Sequence, residues 1–104
     1  WIIKNQNNLM DDFYIDKVRS GDIQAFRYFV KEYKDMAFSA AMSIVKDEFV
    51  AEEVVQDAFL KAFKALASFN KKSKFSTWFY RIVLNEGLAK MNKMKKDYVS
   101  FIEN

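Results

Sequence analysis

The feature that most constrains this chain is its lack of punctuation. Its 104 residues contain no proline, and the only glycines are Gly21 and Gly87. Helices stop where a residue cannot hold helical backbone or where a left-handed residue caps the end, so a chain this poor in breakers defaults to a few long helices. The apolar pattern agrees. Ile23, Phe26, Val30, Tyr33, Ala37, Ala40 and Ile44 recur at spacings of three and four, the period of one helix face. Ser20-Gly21-Asp22 breaks a short leading helix over Met10 to Arg19, with Gly21 as its left-handed stop and Asp22 as the next N-cap. The second helix runs to about Val45. Lys46-Asp47 ends it, and Asp47 caps a third, whose stripe is Val55, Ala58, Phe59, Ala62, Phe63 and Leu66. Ser68 to Lys74 reads as a polar loop. Ser76 or Thr77 then caps a last helix to about Lys95. No strand alternation competes, so the expected fold is all-α: a compact bundle of three long helices and a short N-terminal one. Residues 1–9 read as a polar lead, with Met10 a candidate start, 10–96 as the helical domain, and 97–104 as a tail or the start of a linker.

Composition removes several function classes. Cysteine and histidine are both absent, which excludes thiol nucleophiles, thiolate or imidazole metal ligands and histidine general bases. That usage suits a reducing cytosol. No apolar run approaches the roughly 20 residues of a spanning helix. No phosphate-binding glycine loop or nucleophile motif is present. Glu53 and Asp57 lie one turn apart, but a hard cation needs more oxygens than two carboxylates on one helix supply. The expectation is therefore a binding protein, with no cofactor, no metal and no catalytic residue.

The charges are segregated. Asp47, Glu48, Glu52, Glu53 and Asp57 form an acidic block without an intervening cation. Eight cations between Lys71 and Lys96 face one acid, Glu86. Two charged surfaces with different partners would produce this pattern, as would two solvated helix faces. The stretch FNKKSKFSTWFYRIVL, from Phe69, places Lys71, Lys72 and Lys74 directly before Phe75, Trp78, Phe79, Tyr80 and Arg81. Cations engage phosphates and flat rings stack on unpaired bases, so the combination points to nucleic acid. Trp78, Arg81 and Asn85 share a face, while Lys93, Lys95 and Lys96 lie at the far end. Phe75, Phe79, Ile82 and Val83 read as core; Trp78 and Tyr80 fit either core or platform, and Asn85 either a structural bond or a base edge.

Three segments together resemble the bacterial extracytoplasmic-function (ECF) sigma factors. DEFVAEEVVQDAFLKAFKAL, Asp47 to Leu66, is similar to that family's D-x-x-x-A-E-D-x-x-Q-E-x-F-x-x-x-W pattern. FNKKSKFSTWFYRIVLNEGL resembles its loop and F-x-T-W-L-x-R-I-x-x-N segment, and AFRYFVKEYKDMAFSAAMSIV its first conserved helix. The resemblance implies a region 2 domain, which joins core RNA polymerase and recognises and melts the promoter minus-ten element. It implies a polymerase surface at Asp47, Glu52, Glu53, Gln56 and Asp57, docking on the β′ clamp coiled coil. It implies promoter contacts, chiefly with the nontemplate single strand, from Asn70, Lys71, Lys72, Lys74, Trp78, Arg81, Asn85, Lys93 and Lys96, with the loop capturing an everted base. It also implies a cytoplasmic protein open to an anti-sigma factor. Nothing after Lys96 matches the family's second promoter-reading module, so a fragment of a longer factor is expected. Phe63 stands where tryptophan is common, Leu84 where many members are basic, and Ala89 where aspartate is frequent; Gly87 softens the last helix. The rival readings are a helical protein-interaction module without nucleic acid and a membrane-surface helix over Lys90–Lys96, to which Met91 and Met94 lend a little support although the segment is short and weakly apolar.

Overall fold

In a computed structural model, residues 2–103 are described, with side chains from Leu9 onward. Trp1, Asn104 and the side chains of most of the polar lead lie outside the described residues. The described residues form four helices: α1 (Ile2–Arg19), α2 (Arg27–Val45), α3 (Glu48–Ala65) and α4 (Phe75–Glu103). Short 3-10 turns at Ile23–Phe26 and Leu66–Ser68 lead from α1 into α2 and from α3 into the polar loop before α4. The described residues contain no strand.

The local stop signals act as the sequence suggests. Gly21 takes φ +109°, and the N–H groups of Gly21 and Asp22 bond back to the Val18 and Lys17 carbonyls, 3.0 Å in each case. Asp47 caps α3 by accepting the Val50 N–H at 3.0 Å. Asp22 precedes the 3-10 turn but its side chain makes no capping bond. The termini of the other helices differ from expectation. α1 begins at Ile2 and not at Met10, because nothing in the lead breaks a helix. α4 begins at Phe75, ahead of Ser76 and Thr77, with the Lys74 carbonyl accepting the Trp78 N–H. It runs to Glu103, so 97–103 is helix and not an irregular tail; no glycine or proline comes after Lys96 to end it.

α2, α3 and α4 pack on one another around a single core. An aromatic column runs through it. Phe29 meets Phe75 at 4.2 Å between centroids, Phe75 meets Phe79 at 5.6 Å, and Phe79 stacks on Phe59 at 4.6 Å. Val54, Ala58, Ala62, Leu66 and Val83 fill the space between. Gly87 sits where α4 crosses α2: a Cβ there would lie 3.2 Å from Ile44 Cδ1. Close helix approach is therefore what the glycine provides, at a helix-propensity cost of about 1 kcal/mol. Not all of the α2 stripe is covered. Ile23 and Val30 are 63% and 38% exposed, and with Phe59, Leu60 and Phe63 they line an open apolar groove of 420 Å³.

Phe79 is fully buried at the centre of the column, so Phe79→Ala should cost about 3–5 kcal/mol of unfolding free energy. Urea titration followed by circular dichroism measures this; an unchanged midpoint would show the column to be dispensable.

Candidate nucleic-acid interface

The loop between α3 and α4 is built by short-range chemistry. Phe69 is buried beneath it, with its ring 4.7 Å from that of Trp78. Asn70 Oδ1 accepts the Lys72 N–H at 3.0 Å, a side-chain-closed turn. Lys71 sits inside that turn at φ +61°, a conformation glycine adopts more readily. Phe75 then plugs into the core and fixes the first turn of α4. A hollow of 240 Å³ opens between this loop and α1, lined by Asp11, Asp12, Lys71, Lys72, Ser73, Lys74 and Phe75.

α1 therefore forms one wall, and Asp11 anchors it. This carboxylate is 3% exposed and accepts hydrogen bonds from the hydroxyls of both Tyr28 and Tyr33 on α2. Burial, and then the Asp11 carboxylate, push both phenols well above their ordinary value. Two further contacts join α1 to the α3–α4 connection. Lys71 Nζ pairs with Asp16 at 2.8 Å, and Arg19 Nε donates to the Leu66 carbonyl at 3.2 Å. Asp11, Asp12 and Asp16 did not stand out in the sequence. They lie some 60 positions from the loop, and no spacing rule connects segments so far apart.

Asn70, Lys71, Lys72 and Lys74 are exposed and gathered at the loop. Trp78 is half-buried, packed on Phe69 and Phe75, and does not line the hollow. Arg81 and Asn85 continue its face of α4, both exposed. Lys93 and Lys96 are also exposed, but helix rise puts Lys93 about 27 Å along α4 from Phe75, so these two are not part of the loop site. Phe75, Phe79 and Val83 are core; Ile82 is half-buried, and Tyr80 is exposed.

Asp47 at the cap of α3, and Glu52, Glu53, Gln56 and Asp57 on it, are all exposed. The charge blocks nevertheless touch at the α3–α4 seam. Glu53 accepts from Lys90 Nζ at 3.0 Å, a bond that raises the lysine's pKa, and Lys61 lies 3.5 Å from Glu86. Glu52 instead faces α2, lining a hollow with Lys34, Asp35, Phe38, Ser39 and Val55. Among the described residues no group of three or more acids converges as metal ligands, and no helix is long and apolar enough to cross a membrane.

The family described as Sigma-70 region 2 matches residues 29–95, most of the chain. The chain belongs to the sigma-70 region 2 family. Several of its relatives are named as ECF sigma factors. The ECF RNA polymerase sigma factor SigW of Bacillus subtilis (strain 168) is 37% identical over 84 residues, covering 81% of this chain and 45% of the relative. The ECF RNA polymerase sigma-E factor of Escherichia coli (strain K12) is 40% identical over 77 residues, 74% of this chain and 40% of that one. The chain thus spans less than half the length of these curated relatives. Among solved structures, an engineered region 2 of sigmaE in complex with GTAAAA, determined by NMR, superposes with a TM-score of 0.77 at 36% identity, covering 84% of this chain and 90% of that one. The all-helical bundle and the ECF family resemblance both stand on these matches. Most of this region 2 chain thus shares its helical arrangement with a domain solved in complex with GTAAAA.

The Asp11 anchor has a measurable consequence. Tyr33→Phe leaves one oxygen of a buried carboxylate without its partner, at a cost of about 1–3 kcal/mol. The raised phenols also make the wild type alkali-sensitive. A group held protonated only in the folded state contributes stability that is fully present below its unfolded value of 10.0 and is lost as pH rises beyond it. Urea midpoints at neutral pH should fall in Tyr33→Phe, and its further loss above pH 10.0 should be smaller than the wild type's. A variant with the wild-type midpoint at neutral pH would remove Asp11 as the anchor.

Proposed function

We propose that this chain is the region 2 domain of an ECF sigma factor, which binds core RNA polymerase and recognises and melts the promoter minus-ten element. The observation that carries the reading is the loop hollow, a pocket rimmed by Lys71, Lys72 and Lys74 at the start of α4, in a family member whose solved relative is bound to GTAAAA. Melting leaves unstacked bases, and eversion of one costs a few kcal/mol. A pocket that shelters the base while lysines hold the flanking phosphates offsets that cost. Asn70, Lys72, Lys74, Arg81 and Asn85 are the proposed contacts near the loop. Trp78 supports them mainly from beneath, through Phe69 and Phe75. Lys71 contributes after releasing Asp16, and Lys93 and Lys96 hold backbone further along α4.

The polymerase surface is proposed at Asp47, Glu52, Gln56 and Asp57, with Glu53 shared with Lys90. Gln56 stands one turn before Leu60, so the acidic ridge runs into the apolar groove beside Phe63. Charge then orients a basic partner helix, such as the β′ clamp coiled coil, and the groove supplies burial. An anti-sigma factor would act by covering either surface. The role uses binding energy alone and needs no catalytic group, cofactor or metal; it places the protein in the cytoplasm, where polymerase works.

In reconstituted transcription with the full-length factor, Gln56→Ala with Asp57→Ala should weaken core binding at least tenfold. Lys72→Ala with Lys74→Ala should leave core binding intact and reduce open-complex formation by a similar factor. Two double variants both indistinguishable from wild type would defeat the surface assignment, and a chain inert to polymerase and bubble DNA alike would return the protein to a plain helical interaction module.

A further inference from the structure

The nucleic-acid site expected from the sequence lies entirely in the loop and α4. The structure adds α1, and with it a charge of the wrong sign. Asp12 lines the hollow beside Lys72, Ser73 and Lys74. It is exposed, accepts no hydrogen bond and joins no ion pair among the described residues. A bare carboxylate among phosphate-binding lysines weakens backbone attraction, so its position calls for a different ligand group. A carboxylate is acceptor-only, and its natural partner on a base edge is an exocyclic amine. At 240 Å³ the hollow is smaller than the roughly 300–1,000 Å³ of sites for drug-sized ligands, which suits one heterocycle and not a run of nucleotides.

The turn of α1 that carries Asp12 is also held in place. Its neighbour Asp11 is fixed to α2 by two tyrosine hydroxyls, and Asp16 and Arg19 fix the next turns to the α3–α4 connection. Specificity needs this rigidity, because a reader that shifts by an ångström reads nothing. Resting on the promoter-binding reading above, we infer that Asp12 is a specificity-determining residue: its carboxylate accepts a hydrogen bond from the amino group of the everted base, so the pocket takes an amino-bearing base and rejects thymine or uracil. Uracil has the shape of cytosine but presents O4 where cytosine presents its N4 amine, setting acceptor against acceptor. Asp11 acts through Asp12 as a positioning residue.

The test is an NMR titration of the 104-residue chain with single-stranded hexamers that differ only in carrying cytosine or uracil at one position, scanned along the hexamer. At one register cytosine should bind about tenfold tighter, with amide shifts centred on Asp12 and Lys72–Phe75. Asp12→Asn, an exposed isosteric change, should abolish that preference, so that the cytosine and uracil hexamers bind alike. Equal affinity for cytosine and uracil at every register overturns the inference and leaves the promoter-binding reading intact. So does a preference that survives Asp12→Asn. A folded chain that binds none of the hexamers at millimolar concentration sinks the promoter-binding reading and this inference with it. Because the cytosine–uracil comparison is made on the wild type, it does not depend on how the variant folds.

Discussion

The aromatic column through Phe29, Phe75, Phe79 and Phe59 is the constraint on which the rest of the molecule depends. Three helices contribute to it, and Phe75 is the first residue of α4. Burying that ring fixes where α4 begins, and hence where the polar loop before it must lie. Phe69 closes the other end of the loop by packing under Trp78. The lysines between these two buried rings have nowhere to go but outward, over α1. The placement of a cationic loop on an aromatic helix is thus a packing result.

How much of this was legible depends on the range of the interaction. Gly21 and Asp47 act within four residues of themselves, and their roles as helix stop and helix cap are those the sequence suggests. The core positions of α3 and α4 come from helical period alone. Helix ends without a chemical signal were not legible: the lead before Met10 and the segment after Lys96 contain nothing that stops a helix, and the helix simply continues. Ile23 and Val30 fit the apolar period of α2 but lie at its edge, where α3 leaves the groove open. Asp11 and Asp16 were invisible because their partners are tyrosines on α2 and a lysine far down the chain, and Asp12 because the loop it faces is equally distant in sequence.

Charge segregation along the sequence also reads differently in space. Glu53 and Lys90 belong to opposite blocks yet bond across the α3–α4 seam, and Asp16 draws Lys71 toward α1. Exposed pairs of this kind contribute at most about 1 kcal/mol each. They bind long side chains in place more than they stabilise the fold. Their effect on a distant partner is smaller still, since fields beyond about 8 Å are screened at physiological salt. On the proposed reading, the two surfaces would therefore discriminate by contact and shape, with charge deciding which partner is tolerated at close range.

The length of α4 gives that contact a direction. The helix has 29 residues and so spans about 44 Å, with the loop hollow at its N-terminal end and Lys93 and Lys96 well down its length. On the proposed reading, a nucleic acid that fills the hollow with one base reaches Lys93 only some 27 Å further on. At 3.4 Å per phosphate along one strand of duplex, that is about eight nucleotides. The two cationic groups cannot serve the same base. On that reading one end of α4 would take an unstacked base, and the other, bare of rings until Tyr98, backbone charge alone. A single rigid helix would thereby set the distance between the point of melting and the point of anchorage.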